Sequence, residues 1–191
     1  MTEYRPLNTS PEPVRLRIED YLLLDGAGAL DSYAKTELIE GQIVSMNVQH
    51  RPHGMVKMEL YDRLRDVLIR LGSPLRPVIE FSVSIPPDAM PEPDILLTNE
   101  PRGDGAVPLA SVALIIEVSD TTLAFDLGPK AALYARSGVP EYWVADVSAR
   151  RIHQHASPSA NGYGRIVDHA FGDSIASITL SGVTVDTSAI G

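Results

Sequence analysis

PDILLTNEPRGDGAVPLASVALIIEVSDTTLAFDLGPKAALYARSGVPEYWVAD, residues 93–146, is the stretch whose reading decides the fold. At its centre lies VALIIEV, residues 112–118, an apolar run broken by one carboxylate, Glu117. Ala113 and Ile115 share Glu117's side by strand alternation, and Val112, Leu114 and Ile116 take the other. Apolar residues on both sides predict a strand covered on both faces. An ionised carboxylate at the rim of such a strand is costly unless it is paired or bound to a metal. Asp94, opening a short strand at Ile95–Leu97, is one candidate to share the site. Lys130 is another. Asp126 reads as the N-cap of a helix running to about Ser137, with Pro129 in its first turn and Gly138 as the stop. On that helix Lys130 falls in one stripe with Leu127, Leu133 and Tyr134. Side chains lean toward a helix N-terminus, so Lys130 is placed to reach back to the end of the preceding strand. Two acids and an ammonium group are thus expected at one sheet edge.

The chain has 191 residues, enough for one domain with a real core. It has no cysteine, which excludes a disulfide framework and a thiolate zinc site. No signal-like leader and no bilayer-length apolar run is visible, so a cytoplasmic location without membrane attachment is the expectation. A net charge of −9 argues against non-specific attraction to nucleic acid and suits carboxylates that hold a divalent cation.

Outward from the centre, residues 1–14 read as a flexible arm ahead of a single domain over residues 15–191. A short helix is expected over residues 15–24, with Leu16, Ile18, Tyr21 and Leu22 as its buried positions. TELIEGQIVSMN, residues 36–47, alternates about a Glu40-Gly41 turn, which predicts a hairpin with Leu38, Ile43, Val44 and Met46 inward and Glu37 at its start. Residues 53–71 carry a helical pattern whose apolar face includes Met55, Met58, Leu60, Tyr61, Leu64, Val67, Leu68 and Leu71. The charges between them, Lys57 among them, read as a solvated face. Residues 78–85 alternate as one strand, and residues 141–146 as another. Residues 151–156 and 163–170 predict an antiparallel pair, with at least one more short strand over residues 175–185. The predicted class is α/β or α+β, with one mixed central β-sheet flanked by helices and an N-terminal β-hairpin.

Pro93-Asp94, Glu117-Val118-Ser119, Asp126 through Lys130 with Tyr134, and Gly138-Val139-Pro140-Glu141-Tyr142-Trp143 resemble the Uma2 (DUF820) family of restriction-endonuclease-like proteins, within the PD-(D/E)XK nuclease superfamily. The hairpin from Glu37 to Val44, followed by Met46 and His53 ahead of a long helix, is similar to that family's N-terminal half. The resemblance implies a restriction-endonuclease-like core, often paired as a homodimer. It implies a metal-dependent endonuclease acting on DNA, with Mg2+, or Mn2+ in its place, held by Asp94, Glu117 and the backbone carbonyl of Val118. The superfamily's lysine normally stands two positions after the second acid, where this chain has Ser119. Its role would pass to Lys130, as in Uma2 members. Glu37 and His53 would be auxiliary.

Hard oxygen ligands suit magnesium, which polarises phosphoryl oxygen and lowers the pKa of bound water. Taken singly, each residue also has an ordinary structural reading: Asp94 as a strand-end residue, Glu117 in an arginine ion pair, Lys130 as a snorkelling surface lysine. His153 and His155 share one side of a strand and could hold a metal, or sit on a solvated edge. The displaced lysine and the acidic balance leave two alternatives: a catalytically silent nucleic-acid- or protein-binding module on the same fold, and a metal-dependent hydrolase of small substrates.

Overall fold

The computed structural model describes residues 12–190, so most of the arm expected over residues 1–14 lies outside the described residues. The chain runs through α1 (Ile18–Gly26), β1 (Thr36–Ile39), β2 (Gln42–Ser45), α2 (Arg51–Arg70), β3 (Arg76–Ile79), β4 (Val83–Ser84), β5 (Ile95–Thr98), β6 (Val107–Pro108) and β7 (Val112–Ser119). A broken helix follows, made of α3 (Leu123–Phe125), a π-helical turn at Asp126–Lys130 and α4 (Ala131–Arg136). Then come β8 (Glu141–Asp146), β9 (Arg151–Ser159), β10 (Gly162–Ala170), β11 (Ser174–Ala176) and β12 (Thr184–Asp186).

Six strands form the central sheet in the order β10-β9-β8-β7-β5-β3, parallel only between β7 and β8. This is the mixed sheet flanked by helices that the pattern predicts. One face carries Ile95, Leu97, Leu114, Ile116, Val118 and Trp143 against Val56, Leu60 and Leu64 of α2 and against Ile175 and Val185 of the β11–β12 pair. The other carries Leu96, Ile115, Tyr142 and Val144 against Leu133 and Tyr134 of α4 and Ile39 of the hairpin. Each fully buried large side chain contributes about 1.5–3 kcal/mol, so β7 and β8, packed on both sides, dominate the hydrophobic term.

The hairpin turn is as expected, with Glu40 and Gly41 both at positive φ (50° and 73°), the primed turn that matches strand twist. Of the residues expected inward, Leu38 is buried but Ile43, Val44 and Met46 are only half-buried, and Ile39 is buried in addition. Other elements depart from expectation. The register between β5 and β7 skips Ala113, since Leu97 pairs with Leu114 and Thr98 with Val112. This bulge puts Ala113 on Leu114's face and Val112 on Ile115's, reversing the alternation expected at the start of the strand. The strand expected over residues 78–85 breaks at Glu80, whose φ of +56° ends β3. On α2 the buried stripe is His53, Val56, Lys57, Leu60, Leu64, Val67 and Leu68, while Met55 and Met58 are exposed. Both methionines fall roughly 100° or more away from that stripe's neighbouring positions, and Lys57 falls within it. Tyr21 is buried on α1, but Leu22 is exposed. Strand β9 is interior, because β10 covers it.

Glu141, wholly buried on β8, ties the sheet to the turn after β11. Its carboxylate accepts from Trp143 Nε1, Gln154 Nε2, the Ile178 and Thr179 N–H groups and the Ser177 and Thr179 hydroxyls, at 2.7–3.2 Å. Glu141→Ala strands those donors and is expected to cost about 3 kcal/mol or more, read as a lowered urea midpoint with an unchanged slope.

Candidate active site

The two acids are brought together by strand register. The β5–β7 pairing ends with Ile95 opposite Ile116, and one step further the same antiparallel register sets Asp94 across from Glu117. The Val118 N–H donates to Asp94 Oδ2 at 2.8 Å, locking the Asp94 side chain onto β7. Glu117 points toward the broken helix, where Tyr134 donates its hydroxyl to Oε1 at 3.0 Å.

Lys130 arrives by a route the local pattern predicts only in part. Asp126 is not an N-cap. The helix starts earlier, where the Thr122 carbonyl accepts the Phe125 and Asp126 N–H groups. Asp126 is buried, and its Oδ2 accepts the Ser119 and Thr122 hydroxyls at 2.5 and 2.6 Å. Pro129 has no N–H for an α-helical ladder, and the chain answers with a π turn in which the Ala131 N–H reaches back to the Asp126 carbonyl. Tyr142 donates to the same carbonyl at 3.0 Å. Ser119 therefore anchors, through Asp126, the segment that delivers Lys130.

Lys130 Nζ donates to Glu117 Oε1 at 2.9 Å and to Glu37 Oε1 at 3.2 Å, and all three side chains are nearly inaccessible to solvent. Glu37 Oε2 also lies 3.0 Å from Nζ, an ion-pair contact without hydrogen-bond alignment, and this buried oxygen accepts no hydrogen bond. The structure thus brings Glu117, Lys130 and Glu37 into direct contact, with Asp94 on the adjacent strand. The surface-lysine and arginine-pair readings of Lys130 and Glu117 do not apply. Lys35, at the mouth, contacts Glu37 at 3.7 Å and Glu92 at 3.2 Å.

Asp94 has its own set of donors. His53 Nε2 lies 3.1 Å from Oδ2 and Gln49 Nε2 3.0 Å from Oδ1, with Lys57 Nζ 3.6 Å from Oδ1. Lys57 in turn donates to Gln49 Oε1 and Glu80 Oε1, both at 2.6 Å. Because a carboxylate can only accept, His53 carries its proton on Nε2 when Asp94 is ionised, leaving the buried Nδ1 without a partner. A cleft of about 780 Å³ opens over these residues, lined by Glu37, Asp94, Glu117, Val118, Lys130 and His53 among others.

Burial opposes charge on Asp94, but the hydrogen bond and charge of His53, the Val118 N–H and Lys57 together hold its carboxyl below the ordinary aspartate value. Glu117 behaves oppositely. Burial pushes it up to about 8, with Asp126, Asp94 and Glu37 adding to the rise and Lys130 opposing it. The Lys130 ammonium is held above its ordinary value because Glu117, Glu37 and Asp126 outweigh the cost of its burial. Three ammonium groups thus face these acids: Lys130 between Glu117 and Glu37, Lys35 beside Glu37 and Lys57 beside Asp94.

The histidines of β9 form no shared site. His153 Nδ1 lies 2.7 Å from Asp168 Oδ1, and the His155 ring packs 5.6 Å from those of Tyr142 and Tyr163.

With this geometry in view, the comparisons are specific. Residues 18–188 match the model of the Uma2 family, described as "Putative restriction endonuclease". The chain belongs to the Uma2 family. A solved structure from Anabaena variabilis, described as "a putative nuclease belonging to DUF820", superposes with a TM-score of 0.66 at 14% identity, covering 93% of this chain and 97% of that one. At that identity the likeness concerns the fold, and it is a nuclease-type fold. No curated protein matches the chain. No helix among the described residues is long and apolar enough to cross a membrane.

The donor set of this Uma2 site fits a hard divalent cation. Its carboxylates are all-oxygen ligands, and Glu37 Oε2 is a buried acceptor without a hydrogen bond. Among the described residues, no three His, Asp or Glu side chains close into a ready-made cage. Magnesium asks for less, since it takes one or two carboxylates and keeps its waters.

Sequence reasoning missed Gln49 and Lys57. Lys57 could have been found from its place on the helix's buried stripe; Gln49, in an irregular connection, carried no pattern. A pH prediction follows from Glu117. Between its ordinary value of 4.5 and about 8, the folded state keeps a proton that the unfolded state releases, so this group's contribution to stability falls as pH rises through that window. Glu117→Gln is expected to flatten that fall, checked by urea unfolding at intervals from pH 4.5 to 8.

Proposed function

We propose that this Uma2 chain is a metal-dependent endonuclease that hydrolyses DNA phosphodiester bonds. The observation that carries the reading is the contact of Lys130 with Glu117 and Glu37 beside Asp94, on the wall of one cleft. Asp94 and Glu117 would hold Mg2+, with Mn2+ able to replace it, and the Val118 carbonyl on β7 and Glu37 on the hairpin would be further oxygen donors. When bound, the cation supplies Lewis-acid polarisation of a phosphoryl oxygen and a more acidic water.

The remaining work falls to the chain's own residues. An ammonium group has three N–H donors, and Glu117 and Glu37 take two. The third would orient a water or offset charge that develops on phosphate. Tyr134 fixes Glu117 Oε1, and its own phenol stays protonated because burial and the neighbouring Glu117 raise it well above its ordinary value. His53 and the Val118 N–H hold Asp94 Oδ2 in place. The cation would also offset the repulsion between these carboxylates and an incoming phosphate.

A second reading, a binding module without turnover, is favoured by the number of donors already engaged on Asp94. Calorimetric titration with magnesium separates the two, since no saturable heat at millimolar metal supports the silent module.

For the nuclease reading, Asp94→Asn, Glu117→Gln and Lys130→Met are each expected to lower magnesium-dependent cleavage of DNA by about 100-fold or more, the scale of losing a preorganised charge-stabilising group. Chelation should abolish cleavage, and Mg2+ or Mn2+ should restore it. An Asp94→Asn protein that cleaves as fast as the parent sinks the assignment.

A further inference from the structure

Asp94 is crowded. A carboxylate offers about four acceptor positions, and three hydrogen bonds and one ammonium contact address this one. On Oδ2 they are the Val118 N–H at 2.8 Å and His53 Nε2 at 3.1 Å; on Oδ1 they are Gln49 Nε2 at 3.0 Å and Lys57 Nζ at 3.6 Å. A cation that ligates Asp94 competes with these groups, and on Oδ1 it meets the Gln49 amide.

They are not equally free to leave. The Val118 N–H is part of β7, and its donor direction is fixed by the sheet. His53 is buried in the first turn of α2. Lys57 is buried on the same helix and held at 2.6 Å by Glu80. Gln49 differs on each count. It is exposed, it lies in the irregular connection between β2 and α2, and only its side chain is engaged at the site. Rotation about its own side-chain bonds removes it from Asp94 without moving any strand or helix.

Lys57 fixes which end of the amide faces Asp94. An ammonium can only donate, so the 2.6 Å contact places Gln49 Oε1 toward Lys57 and leaves the NH₂ group to face the carboxylate. Gln49 is also on the cleft wall, together with Met46, Asn47, Val48 and His50 of the same connection, so whatever enters the cleft meets it.

We propose that Gln49 is a gate on the cation site: its amide occupies the Oδ1 position of Asp94 that an incoming divalent metal needs, and metal binding requires it to swing out. The inference rests on the reading of Asp94 as a metal ligand. Removing the amide spares the cation the loss of one hydrogen bond to a charged group, which corresponds to about tenfold in affinity.

The test is calorimetric titration of the full chain with manganese chloride, with no nucleic acid present, for the parent, Gln49→Ala and Gln49→Glu. Gln49→Ala is expected to bind Mn2+ about tenfold more tightly than the parent. Gln49→Glu is expected to bind at least as tightly as Gln49→Ala, because its carboxylate is repelled by Asp94 and stays on Lys57. If the parent binds and Gln49→Ala binds equally or more weakly, the gate is wrong and the metal site stands. If only Gln49→Glu tightens, the gain belongs to the added charge, and the gate is again wrong. If none of the three gives saturable heat, the metal site fails and the gate fails with it.

Discussion

A buried ammonium group held between two buried carboxylates is the constraint around which this fold is arranged. Lys130, Glu117 and Glu37 come from the broken helix, the central strand and the N-terminal hairpin. Removing any one would leave charge without compensation in a medium of low polarity, at a cost of several kcal/mol. Replacing all three by well-packed apolar residues would cost little or even stabilise, so the arrangement is poorly explained as a stability device. The three side chains lie on the wall of the cleft, where the burial that makes them costly also holds them in fixed contact.

The lysine reaches its acids by way of the strand end that precedes its helix. The Ser119 hydroxyl, last on that strand, is spent on Asp126. Asp126 in turn anchors a π turn that Pro129 and the preceding strand end make necessary, and Lys130 closes that turn. The amine thus reaches the acid from a helix rather than from the strand.

Much of this was legible because it depended on local periodicity. The VALIIEV run predicted a strand buried on both faces, and the Glu40-Gly41 dipeptide predicted the hairpin turn. The spacing of Leu127, Lys130, Leu133 and Tyr134 put the lysine on an inward stripe. The parts that were not legible depend on long-range contacts. Lys57 stands among alternating charges and reads as solvated; its burial follows from Asp94 and Glu80, far away in sequence, lying over α2. The break at Glu80 lies inside an alternating segment and leaves no mark there, because a left-handed residue other than glycine is stabilised by its tertiary partners. The bulge at Ala113 and the π turn add or shift single residues within otherwise regular patterns, and periodicity cannot register them.

The Glu141 clamp has a bearing on how the chain is made. Its carboxylate lies in the middle of the sheet, yet donors on which it depends come from Ser177, Ile178 and Thr179, which lie 36 to 38 positions further along. A ribosome that has just released β8 has exposed a buried anion whose counterparts are not yet synthesised. In a chain made from its N-terminus, this clamp can close only after Thr179 has emerged.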